Sequence, residues 1–272
     1  MCLSDEFIWI AIILFGIFFG IFFTGVSLVL YFVTFLFKQF LENLKLSNQK
    51  RRSNNPMSQP IAAIFDVDGT ILPGDSMELR FVKFLWKYGE LRPRDFFRLG
   101  KGIFQANGQS PLLANKAYLK NKSLDRFQIL ARDCFEQTIK PNLLPLALER
   151  MQWHQEQGHC VVLLSGSLEI LVEPLAQHVH ACSHLGAKLQ SDGNTLVGKI
   201  LGEHPYDQAK VNIFQALNQF RKFDLSRSFA YGNHYTDRHL LGLVGNPVAT
   251  NPDRKLRSIA NENGWMIEVF KN

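Results

Sequence analysis

Hydrophobic and polar positions divide the chain into stretches of different rhythm. Over 7–37 no charged residue occurs, and Phe, Ile, Leu and Val dominate a run of roughly 30 residues, longer than the ~20 a helix needs to cross a bilayer. A buried core helix is rarely apolar on every face over such a length, so the run predicts one N-terminal transmembrane helix at 7–37. A cleavable secretory signal has a shorter apolar core after a basic start, whereas this chain begins with the acidic MCLSDEF. The polar stretch SNQKRRSNNPMSQP then predicts a linker over 38–60.

From Ile61 onward, short apolar runs alternate with helically spaced ones. IAAIF, ending at Asp66, has the form of a buried parallel strand. Met77, Phe81, Phe84, Leu85 and Tyr88 repeat at helical spacing, and further helices are expected near 94–106 and 111–120 and from a Ser123 cap to about Ile139. Pro141 is expected to open the next helix and Gly158 to close it. CVVLL at 160–164 predicts a second strand, a helix over about 168–178 carries Pro174, and SDGN at 191–194 turns a β-hairpin. A helix over 208–221, a strand near 228–231, a short helix after Thr236, a strand at PVAT and a helix from about Pro252 complete the chain. Strands alternating with helices predict an α/β fold with a mostly parallel sheet, interrupted by a block of helices between its first two strands.

Charge adds orientation. Lys38, Lys45, Lys50, Arg51 and Arg52 follow the apolar run and no Lys or Arg precedes it, which places the body of the chain on the cytoplasmic side of a plasma or inner membrane, anchored by a single pass. Cys2, Cys134, Cys160 and Cys182 lie far apart without a CxxC pair, so they read as ordinary cytosolic thiols. Over 80–122 ten basic residues face only Glu90 and Asp95, while the whole chain carries a formal charge of +6. The basicity is therefore concentrated in the helical block, which suits anionic lipid heads or a phosphorylated substrate, and equally suits solvated helix faces whose Lys and Arg stems cover apolar surface. No nucleic-acid recognition motif accompanies it.

Ligands of open parallel sheets bind beyond the carboxyl ends of the strands. There the sequence offers Asp66 and Asp68 in DVDGT, Ser165 and Gly166 in LLSGS, Lys210, and Asn233 and Asp237 in YGNHYTD. Two carboxylates two residues apart on an extended segment point the same way, one as nucleophile and one as proton donor or acceptor. Taken singly, Ser165 and Asp237 would equally serve as helix caps and Lys210 as a surface lysine.

In order, strand context and spacing these segments resemble the four motifs of the haloacid dehalogenase (HAD) superfamily of phosphatases, in its phosphoserine-phosphatase-like branch. The resemblance covers 61–272 and implies a Rossmann-like core with a helical cap inserted at about 74–140. It implies phosphoryl transfer through an aspartyl phosphate, with Asp66 as nucleophile and Asp68 as acid and then base. Ser165, Gly166 and Lys210 would bind the phosphoryl oxygens, and Mg²⁺ would be held by Asp66, Asp68, Asn233 and Asp237. Asn233 departs from the family pattern, which has an aspartate there; its carbonyl has similar reach but lacks the charge a hard cation favours. Asp75 falls where phosphoserine phosphatases place an acid for the substrate amine. Two functional expectations follow. One is a membrane-anchored Mg²⁺-dependent phosphatase of small or lipid-linked phosphomonoesters. The other is a membrane-tethered pseudo-phosphatase that binds without turnover.

Overall fold

The computed structural model describes residues 59–95, 97–98 and 116–270. The expected transmembrane helix at 7–37, nearly all of the 38–60 linker, most of the helices expected near 94–106 and 111–120, Cys2 and Lys101 lie outside the described residues.

The described elements, in chain order, are β1 (Ala62–Phe65), α1 (Met77–Lys87), α2 (Leu124–Cys134), α3 (Pro145–Glu156), β2 (Cys160–Leu168), α4 (Glu169–His178), β3 (Ser183–Ala187), β4 (Leu189–Asp192), β5 (Thr195–Ile200), α5 (Gln208–Arg221), β6 (Phe229–Gly232), α6 (Arg238–Leu241), β7 (Asn246–Thr250), α7 (Arg254–Asn263) and β8 (Met266–Glu268). Six strands form a fully parallel sheet in the order β3-β2-β1-β6-β7-β8, while β4 and β5 make the separate hairpin expected at SDGN. Alternate residues of β1 feed two cores. Ala63 and Phe65 pack with Phe81, Phe127, Met151 and Leu171 from α1 to α4, and Ala62 and Ile64 pack with Phe214, Leu241 and Leu256 from α5 to α7. Burial on both faces is why β1 reads as an unbroken apolar run.

Helix starts follow local chemistry. Ser76, Ser123 and Asp253 accept backbone N–H groups at the first turns of α1, α2 and α7. The helix before β2 opens at Pro145, not at Pro141, which sits in a short 3₁₀ turn over Lys140–Asn142. Both prolines suit a first turn, but only Leu144, before Pro145, is extended as a helix entry requires. Gly158 follows that helix with φ +77°, as expected. Of the helix expected over 111–120, the described residues from Lys116 onward carry a 3₁₀ turn over Ala117–Leu119.

The reading of all cysteines as separate thiols is corrected for one pair. Cys160 and Cys182 are joined by a disulfide between the starts of the neighbouring strands β2 and β3, with Cα atoms 5.7 Å apart. Strand pairing brings together residues separated by 22 positions, and spacing alone does not show it.

Candidate active site

The strand order runs outward in one direction from β1 through β2 to β3 and in the other from β6 through β7 to β8, so the crevice between β1 and β6 is the topological switch point. Asp66 directly follows β1 there, its N–H donating to Tyr231 O at 2.9 Å. The chain then turns tightly, with the N–H groups of Ile71 and Leu72 both returning to Val67 O and Gly69 at φ +85°. This turn lifts Asp68 towards the cap. Its Oδ1 accepts the Met77 N–H at 2.7 Å, and its Oδ2 accepts the Ser167 hydroxyl at 2.7 Å.

Six of the seven expected site residues, Asp66, Asp68, Gly166, Lys210, Asn233 and Asp237, line one pocket. Ser165 lies fully buried just beneath, its Oγ accepting from the Ser167 N–H at 3.0 Å and standing 3.4 Å from Asp68 Oδ2. Lys210 Nζ donates at 2.6 Å to Asp66 Oδ1 and at 2.6 Å to Asp237 Oδ1. The other Asp237 oxygen accepts the N–H groups of Asn233 and His234, at 3.2 and 3.1 Å, and so shapes the loop after β6. Thr70 Oγ1 lies 3.0 Å from Asp66 Oδ2 and 3.3 Å from Asn233 Oδ1.

One ammonium shared by two carboxylates leaves a net negative charge in a nearly dry site. Burial, opposed by Lys210 and reinforced by Asp237, pushes the Asp66 carboxyl up to about 7. Burial also raises Asp68, which suits a carboxyl that must carry a proton. For Lys210 burial works against the charge, but Asp237 and Asp66 outweigh it and hold the ammonium above its ordinary value.

Sequence reasoning missed Ser167, Thr70 and Glu78. Ser167 was visible in LLSGS, and Thr70 in DVDGT, but only the turn geometry shows which oxygen each serves. Glu78, on α1, lines the pocket. Asp75 does not; it is half-exposed and paired with Lys83. The basic block is likewise less free than its charge count suggests. Arg80 binds the carbonyls of Pro73, Asp75 and Thr138, Lys116 pairs with Glu78, and Arg98 and Lys122 pair with Asp95.

No group of three or more His, Cys, Asp or Glu side chains able to hold a metal occurs among the described residues. The oxygens of Asp66 and Asn233 nonetheless converge on the one Thr70 hydroxyl, and hard oxygen donors of this kind fit Mg²⁺.

The chain is 28% identical over 225 residues to the phosphoserine phosphatase SerB1 of Mycobacterium tuberculosis, covering 79% of this chain and 73% of that protein. It is 26% identical over 224 residues to a histidinol-phosphatase of Neisseria meningitidis, covering 77% and 98%. Among solved structures, a Bordetella pertussis protein of unknown function superposes with a TM-score of 0.69 at 21% identity, covering 78% of this chain and 99% of that one. An aspartyl-phosphate analogue complex of phosphoserine phosphatase superposes at 0.54 with 17% identity, covering 79% and 95%. The family profile described as haloacid dehalogenase-like hydrolase matches residues 63–242, the span that contains both carboxylates following β1, the strand-end serines, Lys210 and the loop after β6. The chain belongs to the haloacid dehalogenase-like hydrolases.

Proposed function

We propose that this hydrolase of phosphoric monoesters is a membrane-anchored, Mg²⁺-dependent phosphatase that works through an aspartyl phosphate on Asp66. The observation that carries the reading is the ion triad Asp66–Lys210–Asp237 set at the switch point beside a separately oriented, buried Asp68. Asp66 attacks phosphorus, and the ester oxygen departs with the proton held by Asp68. Water, giving its proton to Asp68, then breaks the acyl phosphate and regenerates Asp66. The Gly166 N–H, Ser165 and Lys210 bind the phosphoryl oxygens, and Ser167 and the Met77 N–H keep Asp68 aimed. Bound Mg²⁺, held by Asp66, Asn233 and the Asp68 and Asp237 side of the pocket, would lower the repulsion between a carboxylate and a phosphate dianion.

The anchor rests on the uncharged run at 7–37, and a cytoplasmic catalytic domain on the basic flank that follows it. Lys87, Arg92 and Arg94 are exposed on the cap and would meet anionic lipid. Turnover of a panel of small and lipid-linked phosphomonoesters by the purified chain, with Mg²⁺ varied, tests the whole reading. Phosphate release that needs Mg²⁺ and Asp66 supports it. Binding of phosphomonoesters without release would favour the pseudo-phosphatase, which Asn233 suggests.

A further inference from the structure

The pocket lining continues past the catalytic carboxylates onto the cap, as a second wall. It carries one carboxylate among the described residues, Glu78, on the face of α1 that follows the nucleophile's turn. Glu78 is only 2% exposed. Its Oε1 accepts from Lys116 Nζ at 2.6 Å and from the Tyr118 hydroxyl at 2.9 Å, and its Oε2 accepts from the same ammonium. A carboxylate offers about four lone-pair sites, so acceptor capacity remains on Oε2.

A buried ion pair holds a fold together no better than apolar side chains of the same volume. As part of a pocket wall it has another use. Lys116 and Tyr118, themselves buried, fix the carboxylate in place and neutralise it, leaving an oriented acceptor without net charge. Asp75 is turned away to Lys83 and is not part of this wall. The charge of Glu78 is already matched by Lys116, so a second cation brought to this oxygen would shed its water without gaining an unpaired counter-charge, whereas a neutral hydroxyl loses far less.

We propose that Glu78, held by Lys116 and Tyr118, reads the leaving group, and that it selects phosphomonoesters whose leaving alcohol carries a neutral hydroxyl over those carrying an ammonium. The hydroxyl donates to Glu78 Oε2; a plain alkyl chain leaves that buried acceptor unpaired. The inference rests on the phosphatase reading and narrows its substrate class.

The test uses the purified full-length chain with Mg²⁺ and four substrates: propyl phosphate, 3-hydroxypropyl phosphate, 3-aminopropyl phosphate and p-nitrophenyl phosphate. The expected kcat/KM for the hydroxypropyl ester exceeds those of the propyl and aminopropyl esters, by on the order of tenfold over the propyl ester. Replacing the pair by apolar volume, Glu78→Leu with Lys116→Met, should bring the hydroxypropyl-to-propyl ratio close to one. Tyr118→Phe, which spares Oε2, should keep it. These ratios are taken within one sample and do not depend on the fraction folded. A parent ratio near one, a preference for the aminopropyl ester, or a double variant that keeps the parent ratio overturns the inference while leaving the phosphatase reading intact. If none of the four esters is hydrolysed, the phosphatase reading fails and this inference with it.

Discussion

Asn233 lies against the bare Cα of Gly69: a β-carbon at residue 69 would stand 2.8 Å from Asn233 Cγ. The nucleophile's turn and the loop after β6 thus fit together only because residue 69 has no side chain. Gly69→Ala should strain a backbone at φ +85° by about 1–2 kcal/mol and push Asn233 out of place. Thermal denaturation and kcat/KM should both fall; an alanine variant equal to the parent in both would show that the loop yields freely.

The position of Asn233 also allows its charge to be tested. Asn233→Asp keeps the shape and brings a third carboxylate towards Asp66 and Asp237. Attraction for Mg²⁺ is largely offset by desolvation, so half-saturation should move to lower Mg²⁺ by on the order of tenfold, ~1.4 kcal/mol. Without metal the added charge should lower the melting temperature, and Mg²⁺ should restore it. Mg²⁺ dependence and metal-free stability both indifferent to the change would remove Asn233 from the metal site.

Asp66→Asn removes the nucleophile while keeping its volume and its contacts with Thr70 and Lys210. Because the folded-state pKa of Asp66, about 7, lies above its ordinary 3.8, its ionisation opposes folding: the associated stability is full below 3.8 and lost as pH rises through 7. At pH 8 the variant should therefore melt no lower than the parent while turnover is abolished. Retained turnover in a folded variant would exclude an aspartyl phosphate at this position.

The Cys160–Cys182 bond closes a loop of 22 residues, worth about 3 kcal/mol by loop entropy. Reduction, or Cys160→Ser with Cys182→Ser, should lower the stability of purified protein accordingly. Adjacent strands bring the thiols together in any compartment, whereas a reducing cytosol keeps them open. A reporter fused after Asn272 should read as cytoplasmic, with both thiols open to alkylation in cells. An external reporter with a closed bond would reverse the orientation read from Lys38 to Arg52.

The central strands and the carboxylates that follow them were legible because β1 is buried on both faces and DVDGT follows it without a gap. The edges were not. β8 has three residues, none fully buried, and β3 mixes half-buried and buried positions without alternation, so neither carries a strand's pattern. Site residues that act through a single hydrogen bond, such as Ser167 on Asp68, were visible as letters but not as partners. Glu78 was hidden for a different reason. In a helix of period 3.6 its polar side chain looks like a solvent face, and only its pairing with Lys116, 38 residues away, makes it a buried wall.

Beneath the site, His154 is buried with Nε2 2.8 Å from the Tyr231 hydroxyl and Nδ1 2.9 Å from His159 Nδ1. Tyr231 stacks on Phe65 at 4.2 Å between centroids, so this imidazole supports the two strand ends that deliver Asp66 and Asn233. Burial, then His159 and Arg150, depress the pKa of His154 to about 3 against an ordinary 6.5. The folded chain consequently binds fewer protons here than the unfolded one, and the stability from His154 is full above 6.5 and lost as pH falls to 3. Asp66 works in the opposite sense between 3.8 and 7, so the melting curve of the parent alone mixes the two. The difference between parent and a His154→Phe, Tyr231→Phe variant reads the imidazole, because it removes the buried bonded pair together and leaves only the half-buried His159 ring to turn to water. That variant should gain on the parent steadily as pH drops from 6.5, and a difference that stays flat down to pH 3 would mean that His154 takes up its proton without disturbing the fold.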